Sequence, residues 1–285
     1  MSSATPYRLA NPAALAGELG KLTAFLRRDF LVAWSYRAAF FSDVAALFLQ
    51  AISFYFVGLM VNPEVLPEYG GSRATYLEFV AVGIALGVFV QLGLGRVAGA
   101  IRNEQLTGTL ESLLMTPTAP ATIQLGSVVY ELVYIPMRTA LFFAVIAVAF
   151  GLHFETSGFA PALVVLLAFI PFVWGLGIAS AAATLTFKRG SGGIGLGVAV
   201  LTLFSGAYFP LDLLPKWAAA AAELNPLAVA IDAMRGPLLG GTGWSDTGHA
   251  LLVLIPLSAL SLAVGFLAFR ASLRRERRRG TLGLY

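Results

Sequence analysis

Residues 102–117, RNEQLTGTLESLLMTP, separate apolar from polar side chains more clearly than any other segment. They lie between two of the most apolar stretches of the chain. On a helical wheel, four leucines form one apolar stripe, and two carboxylates gather with small residues on the opposite face. The apolar stripe consists of Leu106, Leu110, Leu113 and Leu114. The polar face consists of Glu104, Thr107, Gly108 and Glu111. Such a two-faced helix is suited to docking rather than to bond chemistry.

The same segment has a defined end and a flat spot. Pro117 ends the helix because proline cannot extend the backbone hydrogen-bond ladder. Gly108 costs about 1 kcal/mol of helix propensity in the middle of the polar face. Close approach by another protein would explain a glycine at this point. The alternative is an interfacial helix that merely joins two membrane spans.

Two ionisable residues, Glu131 and Arg138, lie within an apolar stretch and seven residues apart, which places them on one helix face. Their axial separation is about 10 Å at 1.5 Å per residue, too far for direct contact without a bend near Pro136. Because charges inside spans are costly, we expect each to find a partner on a neighbouring helix. We favour this structural role; the alternative is that they line a transport path.

Motifs for catalysis are absent from the sequence. There is no G-x-x-x-x-G-K-[ST] phosphate loop, and in KRGSGGIG (188–195) the lysine precedes the glycines and the stretch opens a span. There is no H-E-x-x-H or G-x-S-x-G motif. His153 and His249 are far apart in the sequence, and the chain has no cysteine. The sequence therefore predicts no catalytic residue, no metal site, no bound cofactor and no ATP hydrolysis by this chain.

Composition indicates whether these segments fold in water or in a membrane. Only 12% of the residues are charged and 58% are hydrophobic, whereas a soluble domain averages roughly 25% charged residues. We therefore predict an all-α integral membrane protein. Apolar runs of about 20 residues, the length that crosses a bilayer as a helix, occur six times. The predicted spans are 39–61, 76–100, 122–150, 160–186, 194–210 and 249–270.

The basic residues predict the orientation of the spans. Of the 19 Lys and Arg residues, 15 fall on one side of the predicted topology. Positive charge stays in the cytoplasm, so both termini are predicted to be cytoplasmic, in a multi-pass protein of the inner membrane. The basic tail 271–285 adds attraction to anionic lipid. Topology thus accounts for the high pI, and no nucleic-acid partner is predicted.

Two further segments flank the spans. Within the N-terminal segment 1–38, GKLTAFLRRDFLVAWSYR (20–37) has the pattern of an amphipathic helix lying in the membrane interface, although Asp29 falls on its apolar face. The outer segment 207–248 is broken by four prolines, so we predict short re-entrant or surface helices there. Their predicted role is to close the exit of a path; the alternative is an ordinary extracellular cap.

Glycines recur at four-residue spacing within the spans, a pattern typical of close helix contacts. The pairs are Gly83/Gly87, Gly95/Gly99 and Gly193/Gly197.

Two motifs resemble one family. EQLTGTLESLLMTP is similar to the segment after the second span in permease subunits of ABC-2 type exporters. SGAYFPLDLLPKW, followed by LNPLAVAIDAMRG, resembles the outer segment before the last span of the same family. The resemblance covers nearly the whole chain. It implies export driven by a separate cytoplasmic ATPase, which binds ATP and magnesium and receives residues 102–116 as a coupling helix.

The resemblance also implies roles for individual residues. On the coupling helix, Glu104 and Glu111 would be docking charges, Gly108 and Thr109 close-approach positions, and Leu106, Leu110 and Leu113 anchors. The implied outer gate comprises Phe209, Pro210, Leu213, Pro215, Trp217, Asn225 and Pro226. The first and fifth spans would form the seam with a second permease, with Gly193 and Gly197 in that seam.

We accordingly predict a six-span permease that pairs with a second permease, the same chain in the simplest case, and with two copies of an ATPase. Its expected substrate is amphiphilic: a drug-like molecule, a lipid or a lipid-linked glycan. The alternative is a secondary transporter or channel that works without ATP.

Overall fold

A computed structural model describes residues 12–106, 120–187, 191–240 and 243–279. In these ranges the chain is almost entirely helical. Three short 3₁₀ helices and a two-residue antiparallel ladder, Glu68–Tyr69 (β1) with Ser72–Arg73 (β2), lie in the connections. The α-helices are Pro12–Ser35 (α1), Arg37–Gly58 (α2), Tyr76–Leu106 (α3), Pro120–Phe150 (α4), Phe159–Phe187 (α5), Ser191–Leu203 (α6), Lys216–Glu223 (α7), Pro226–Gly240 (α8) and Trp244–Arg279 (α9).

Three helical stretches in the described ranges are long and apolar enough to cross a membrane: Tyr76–Gly95, Thr156–Thr184 and Thr247–Ser272. Shorter apolar helices run over Val44–Gly58 and Pro136–Phe150. The predicted class, a helical integral membrane protein, is therefore confirmed. The count of six spans stays a prediction.

The helix over the fifth predicted span is shorter than the apolar run. α6 ends at Leu203, and the chain turns at Gly206, whose φ of 68° favours glycine. Ser205 stabilises the turn, because its hydroxyl donates to the Thr202 carbonyl at 2.7 Å and accepts from the Ala207 amide at 3.2 Å. A helix of 13 residues measures about 20 Å, less than a bilayer core of about 30 Å.

The helices α5 and α9 form the most extensive packing contact among the described elements. Small residues allow this approach: a side chain at Gly175 would collide with the backbone at Ser261, and one at Gly265 with the backbone of Gly175. Ser258 donates to the Ala168 carbonyl at 2.7 Å. Such interhelical hydrogen bonds hold apolar helices together where no hydrophobic driving force exists between them.

α3 lies at the centre of the fold. It contacts α2, α4, α5, α6 and α8, and its residues from Phe79 to Leu86 are all buried. The helix continues to Leu106, so the first five residues of the predicted coupling helix extend the second predicted span. The next residues, 107–119, lie outside the described ranges, and with them Gly108, Thr109, Leu110, Glu111 and Leu113.

The N-terminal helix α1 packs against α4. The Phe25 ring of α1 occupies the space that a side chain at Gly126 of α4 would need. α1 ends at Ser35, the chain bends at Tyr36, and α2 begins at Arg37. A separate helix thus precedes α2 within the predicted N-terminal segment. That it lies in the membrane interface stays a prediction.

Candidate functional site

A groove with a cavity volume of about 590 Å³ runs between α2, α3, α5 and α6. We call it the polar groove, because neutral hydrogen-bonding side chains share its lining with glycine and aliphatic residues. Its polar residues are Gln50, Gln91, Ser180, Thr184, Thr202 and Tyr208. The lining extends along α3 from Gly87 to Gly99, a length of about 18 Å. None of these described lining residues carries a charge at neutral pH.

Glycines in α3 have two different environments in this region. A side chain at Gly83 would collide with the Ala207 backbone, so glycine permits close packing here, although against a turn and not against another helix. At Gly95 and Gly99, in contrast, a Cβ atom would meet no other atom of the described residues within 4 Å. Both glycines line the groove. Their lack of side chains widens the cavity rather than bringing two helices of this chain together.

Ser180 adds a hydrogen-bonding group to the wall of the polar groove. Its side chain is only 5% exposed, and its hydroxyl has no hydrogen-bond partner within the described part of the chain. Buried polar groups are nearly always satisfied in proteins.

Tyr208 closes one end of the polar groove. Its ring stacks on Phe54 of α2, with centroids 5.5 Å apart and an interplanar angle of 10°. Its carbonyl oxygen accepts a hydrogen bond of 3.0 Å from the hydroxyl of Tyr76, the first residue of α3. The predicted gate began one residue later, at Phe209, and omitted Tyr208. Tyr208 lies within the quoted motif at SGAYFP, and this position is the signal in the sequence that could have added it to the gate.

Asn225 connects the predicted gate to the groove wall. Its side-chain amide donates to the carbonyls of Leu201 and Phe204, at 2.7 and 3.0 Å, at the end of α6. Its side-chain oxygen accepts from the Leu227 amide at 3.0 Å and so caps α8. Pro226 follows at the first helical position, where its missing N–H is not needed. One side chain therefore fixes α8 against α6.

Arg235 of α8 was not among the predicted site residues. Its side chain is 1% exposed. Its Nε donates to the Phe79 carbonyl at 3.0 Å, and its Nη2 donates to the carbonyls of Gly206 and Ala207 at 2.9 and 3.3 Å. Nη1 lies 3.6 Å from the carboxylate of Asp232, which is largely exposed. Arg235 thus fixes the turn that carries Tyr208.

Tyr69, in the ladder outside the predicted spans, lines a smaller pocket together with Arg235 and Pro210. Burial raises the pKa of Tyr69 to about 12, and the nearby positive charge of Arg235 opposes part of this shift. The phenol is therefore neutral at physiological pH.

The remaining residues of the predicted gate divide by exposure. Pro210 is buried and Phe209 is partly buried. Leu213 and Trp217 are 59% and 72% exposed, and the Trp217 ring meets Phe204 edge-on at 6.1 Å. The Pro215 carbonyl accepts hydrogen bonds from the amides of Ala218 and Ala219 in the first turn of α7. The gate residues thus form a layer over the ends of α6 and α8 rather than one cluster.

Other predicted site residues lie apart from this region. Arg138 is buried within α4, at 5% exposure. Glu131 belongs to the same helix, but its side chain lies outside the described part of the structure, as do the side chains of Glu104 and Leu106 and the surroundings of Gly193. Gly197 of α6 faces open space. Among the described residues, no group of three or more histidines and carboxylates is placed to hold a metal ion.

These features define a helical membrane protein with a polar, uncharged groove that a layer of short helices covers at one end. The chain belongs to the ABC-2 type transporter family, whose model matches residues 20–239. It is also similar to the linearmycin resistance permease protein LnrN of Bacillus subtilis (strain 168), with 26% identity over 201 residues. That match covers 70% of this chain and 51% of the relative, so the chain spans about half the length of the curated relative that it matches.

Proposed function

We propose that this chain is the permease subunit of an ATP-driven exporter and moves an amphiphilic molecule outward across the inner membrane through the polar groove. The groove is the single observation that carries this proposal. It combines amide and hydroxyl groups with apolar walls over about 18 Å and has a volume of about 590 Å³. Binding sites for small molecules have this composition and fall in this size range.

The substrate in this proposal is a drug-like amphiphile or a lipid rather than a charged polymer. The uncharged lining residues favour a molecule without strong charge, because an unpaired ion in a membrane cavity is costly. The name of the curated relative refers to linearmycin resistance, which supports a drug-like compound over a lipid-linked glycan.

Release requires the covered end of the groove to open. Tyr208 stands at this end, between Phe54 and Tyr76. Arg235 and Asn225 hold the adjacent turn and the end of α6. In the proposed cycle, the outer layer and the start of α3, which Arg235 holds together, move as a unit away from α2, a rigid-body rearrangement. The predicted gate residues belong to this moving layer.

The energy source in this proposal is a separate ATPase that binds ATP and magnesium, with two copies in each complex. Residues 102–116 dock into it, through Glu104 and Glu111 as charges and Gly108 and Thr109 as close-approach positions. The direct connection of this segment to α3, which lines the groove, supports a mechanical link between ATPase and path. Both termini lie in the cytoplasm in this arrangement.

A second permease, the same chain in the simplest assembly, completes the path along α2 and α6. Both helices present large apolar side chains outward, including Leu49 and Phe56 on α2 and Leu196 and Leu203 on α6. The open space at Gly197 would allow another helix to approach closely.

A matched pair of glycine substitutions tests the polar groove. Gly95 and Gly248 both lie in helices, and at both positions a Cβ atom would meet no other atom of the described residues within 4 Å. Only Gly95 lines the groove. We expect Gly95→Leu to abolish ATP-dependent transport and substrate-stimulated ATPase activity in proteoliposomes containing the ATPase subunit. Gly248→Leu should retain both activities.

Full transport by correctly inserted Gly95→Leu would refute the groove as the path. Transport by the permease without its ATPase would instead support the alternative, a secondary transporter or channel.

A further inference from the structure

A second groove lies away from the transport path, at the bend between α1 and α2. It has a volume of about 670 Å³ and is closed on its other side by α4. We call it the elbow groove. Its floor is apolar and includes Phe30, Phe41, Val133 and Met137. The first two of these side chains are 53% and 67% exposed. The bend therefore exposes a large apolar surface.

Aromatic residues with polar edges surround the elbow groove. Trp34 and Tyr36 line it from the bend, and Tyr130 and Tyr134 line it from α4, where their rings stack at 5.4 Å. Tryptophan and tyrosine concentrate at the level of the lipid headgroups, where one end of the ring is apolar and the other is wet. A groove rimmed by such rings is suited to the headgroup level of the membrane.

The charged residues in the described lining of the elbow groove are Arg27 and Arg37. Arg27 lies on α1, and Arg37 is the first residue of α2, so the two cations stand on opposite sides of the bend. The guanidinium of Arg37 lies over the Trp34 ring, 5.6 Å from its centroid. Asp29, two residues from Arg27, pairs with Arg28 at 2.7 Å and is not among the described lining residues.

We propose that the elbow groove is a binding site for one anionic phospholipid of the membrane. The phosphate lies between Arg27 and Arg37, and an acyl chain covers Phe30, Phe41 and Met137. Charge complementarity selects the headgroup, because arginine matches phosphate through paired N–H donors. The apolar floor selects a lipid over a free phosphate. Basic pockets beside membrane helices bind acidic headgroups for this reason.

Such a lipid would fasten α1 to α4. The described contacts of α1 are mainly with α4, and the bend at Tyr36 is a single non-helical residue. A lipid in the elbow groove contacts both helices and the bend at once. The site is distinct from the basic tail 271–285, because its two arginines and its apolar floor belong to α1, α2 and α4.

Native mass spectrometry of the full chain, released from nanodiscs of phosphatidylglycerol and phosphatidylcholine, tests the site. Each basic residue near an anionic surface contributes about five-fold to lipid attraction. We therefore expect Arg27→Gln/Arg37→Gln to retain phosphatidylglycerol about thirty-fold more weakly than the unaltered chain. The matched control, Arg274→Gln/Arg275→Gln, removes the same charge from exposed positions of α9. It weakens only the diffuse attraction to the membrane surface, so it should change the retention of a bound lipid after release much less than the groove variant does. Equal retention by the groove variant, or equal loss in the tail variant, would overturn the proposal.

A crosslinking measurement covers the case in which the groove variant fails to fold. A benzophenone side chain in place of Met137, in the otherwise unaltered chain, should capture phosphatidylglycerol well above its share of the bilayer. The same probe in place of Leu252, which is 76% exposed on α9, should capture lipid in bulk proportion. Capture of a second copy of the chain, of its own N-terminal residues, or of lipid in bulk proportion at Met137 would refute the site. Neither readout depends on transport, so this proposal and the exporter proposal fail separately.

Discussion

The guanidinium carbon of Arg235 lies 3.6 Å from the centroid of the Phe79 ring, and Nε of the same side chain donates to the Phe79 carbonyl at 3.0 Å. A cation over an aromatic face is attracted by the ring quadrupole, most strongly where water is excluded. Two further carbonyls, from Gly206 and Ala207, accept from Nη2. A single buried cation therefore connects α8, the start of α3 and the turn after α6.

Removing this cation should loosen the outer layer. We expect Arg235→Ala to reduce the free energy of unfolding by about 3–5 kcal/mol, because it removes the Arg235 donors from the buried carbonyls of Gly206 and Ala207 and creates a cavity. Unfolding by SDS titration in mixed micelles measures the change. Lys216→Ala, which removes an exposed positive charge from the same outer segment, should have almost no effect. A loss below about 1 kcal/mol for Arg235→Ala would contradict the structural role.

Two glycines of α3 should respond oppositely to the same substitution. Gly83→Ala places a methyl group against the Ala207 backbone, so we expect a loss of about 1–3 kcal/mol from overpacking. Gly95→Ala enters open space and should stabilise the helix by up to about 1 kcal/mol. The same SDS titration measures both. Equal effects of the two substitutions would show that the turn at Ala207 does not press on α3.

The phenol of Tyr69 should lose its proton at a higher pH than an unperturbed tyrosine does. Burial raises its pKa to about 12 in the folded protein, whereas an unperturbed tyrosine titrates near 10. Because the folded pKa is the higher one, this contribution to stability is complete below about pH 10 and is lost as the pH rises through about 12. The difference in phenolate absorbance between the unaltered chain and Tyr69→Phe gives the midpoint. A midpoint near pH 10 would mean that the ring is solvated.

Charge reversal on the predicted coupling helix should uncouple the ATPase from the permease. We expect Glu111→Lys to insert normally in the membrane but to lose co-purification with the ATPase and ATP-driven transport, since a docking carboxylate becomes a cation. Glu64→Lys is the matched control, because Glu64 is an exposed carboxylate in a connection before α3. Unchanged transport by Glu111→Lys would remove this residue from the docking surface.

Single residues show how far a pattern in the sequence determines an environment. Asn225 and Pro226 have the residue types that begin a helix, and α8 does begin there. Gly83 and Gly95 have the same type, lie on the same helix and belong to glycine pairs of the same spacing. Their surroundings nevertheless differ, because spacing along α3 does not specify which other segment lies opposite. The Ala207 turn occupies that position at Gly83, and the polar groove occupies it at Gly95.

The sequence by itself determined the class of protein, because the scarcity of charge and the length of the apolar runs decide in which solvent a helix is stable. Its two motifs also identified the family. Only the tertiary structure revealed the polar groove, the buried Arg235 and the elbow groove. Each of these joins residues from at least three separate segments, and their proximity is set by long-range packing. A local pattern of residues cannot encode which distant segments will meet.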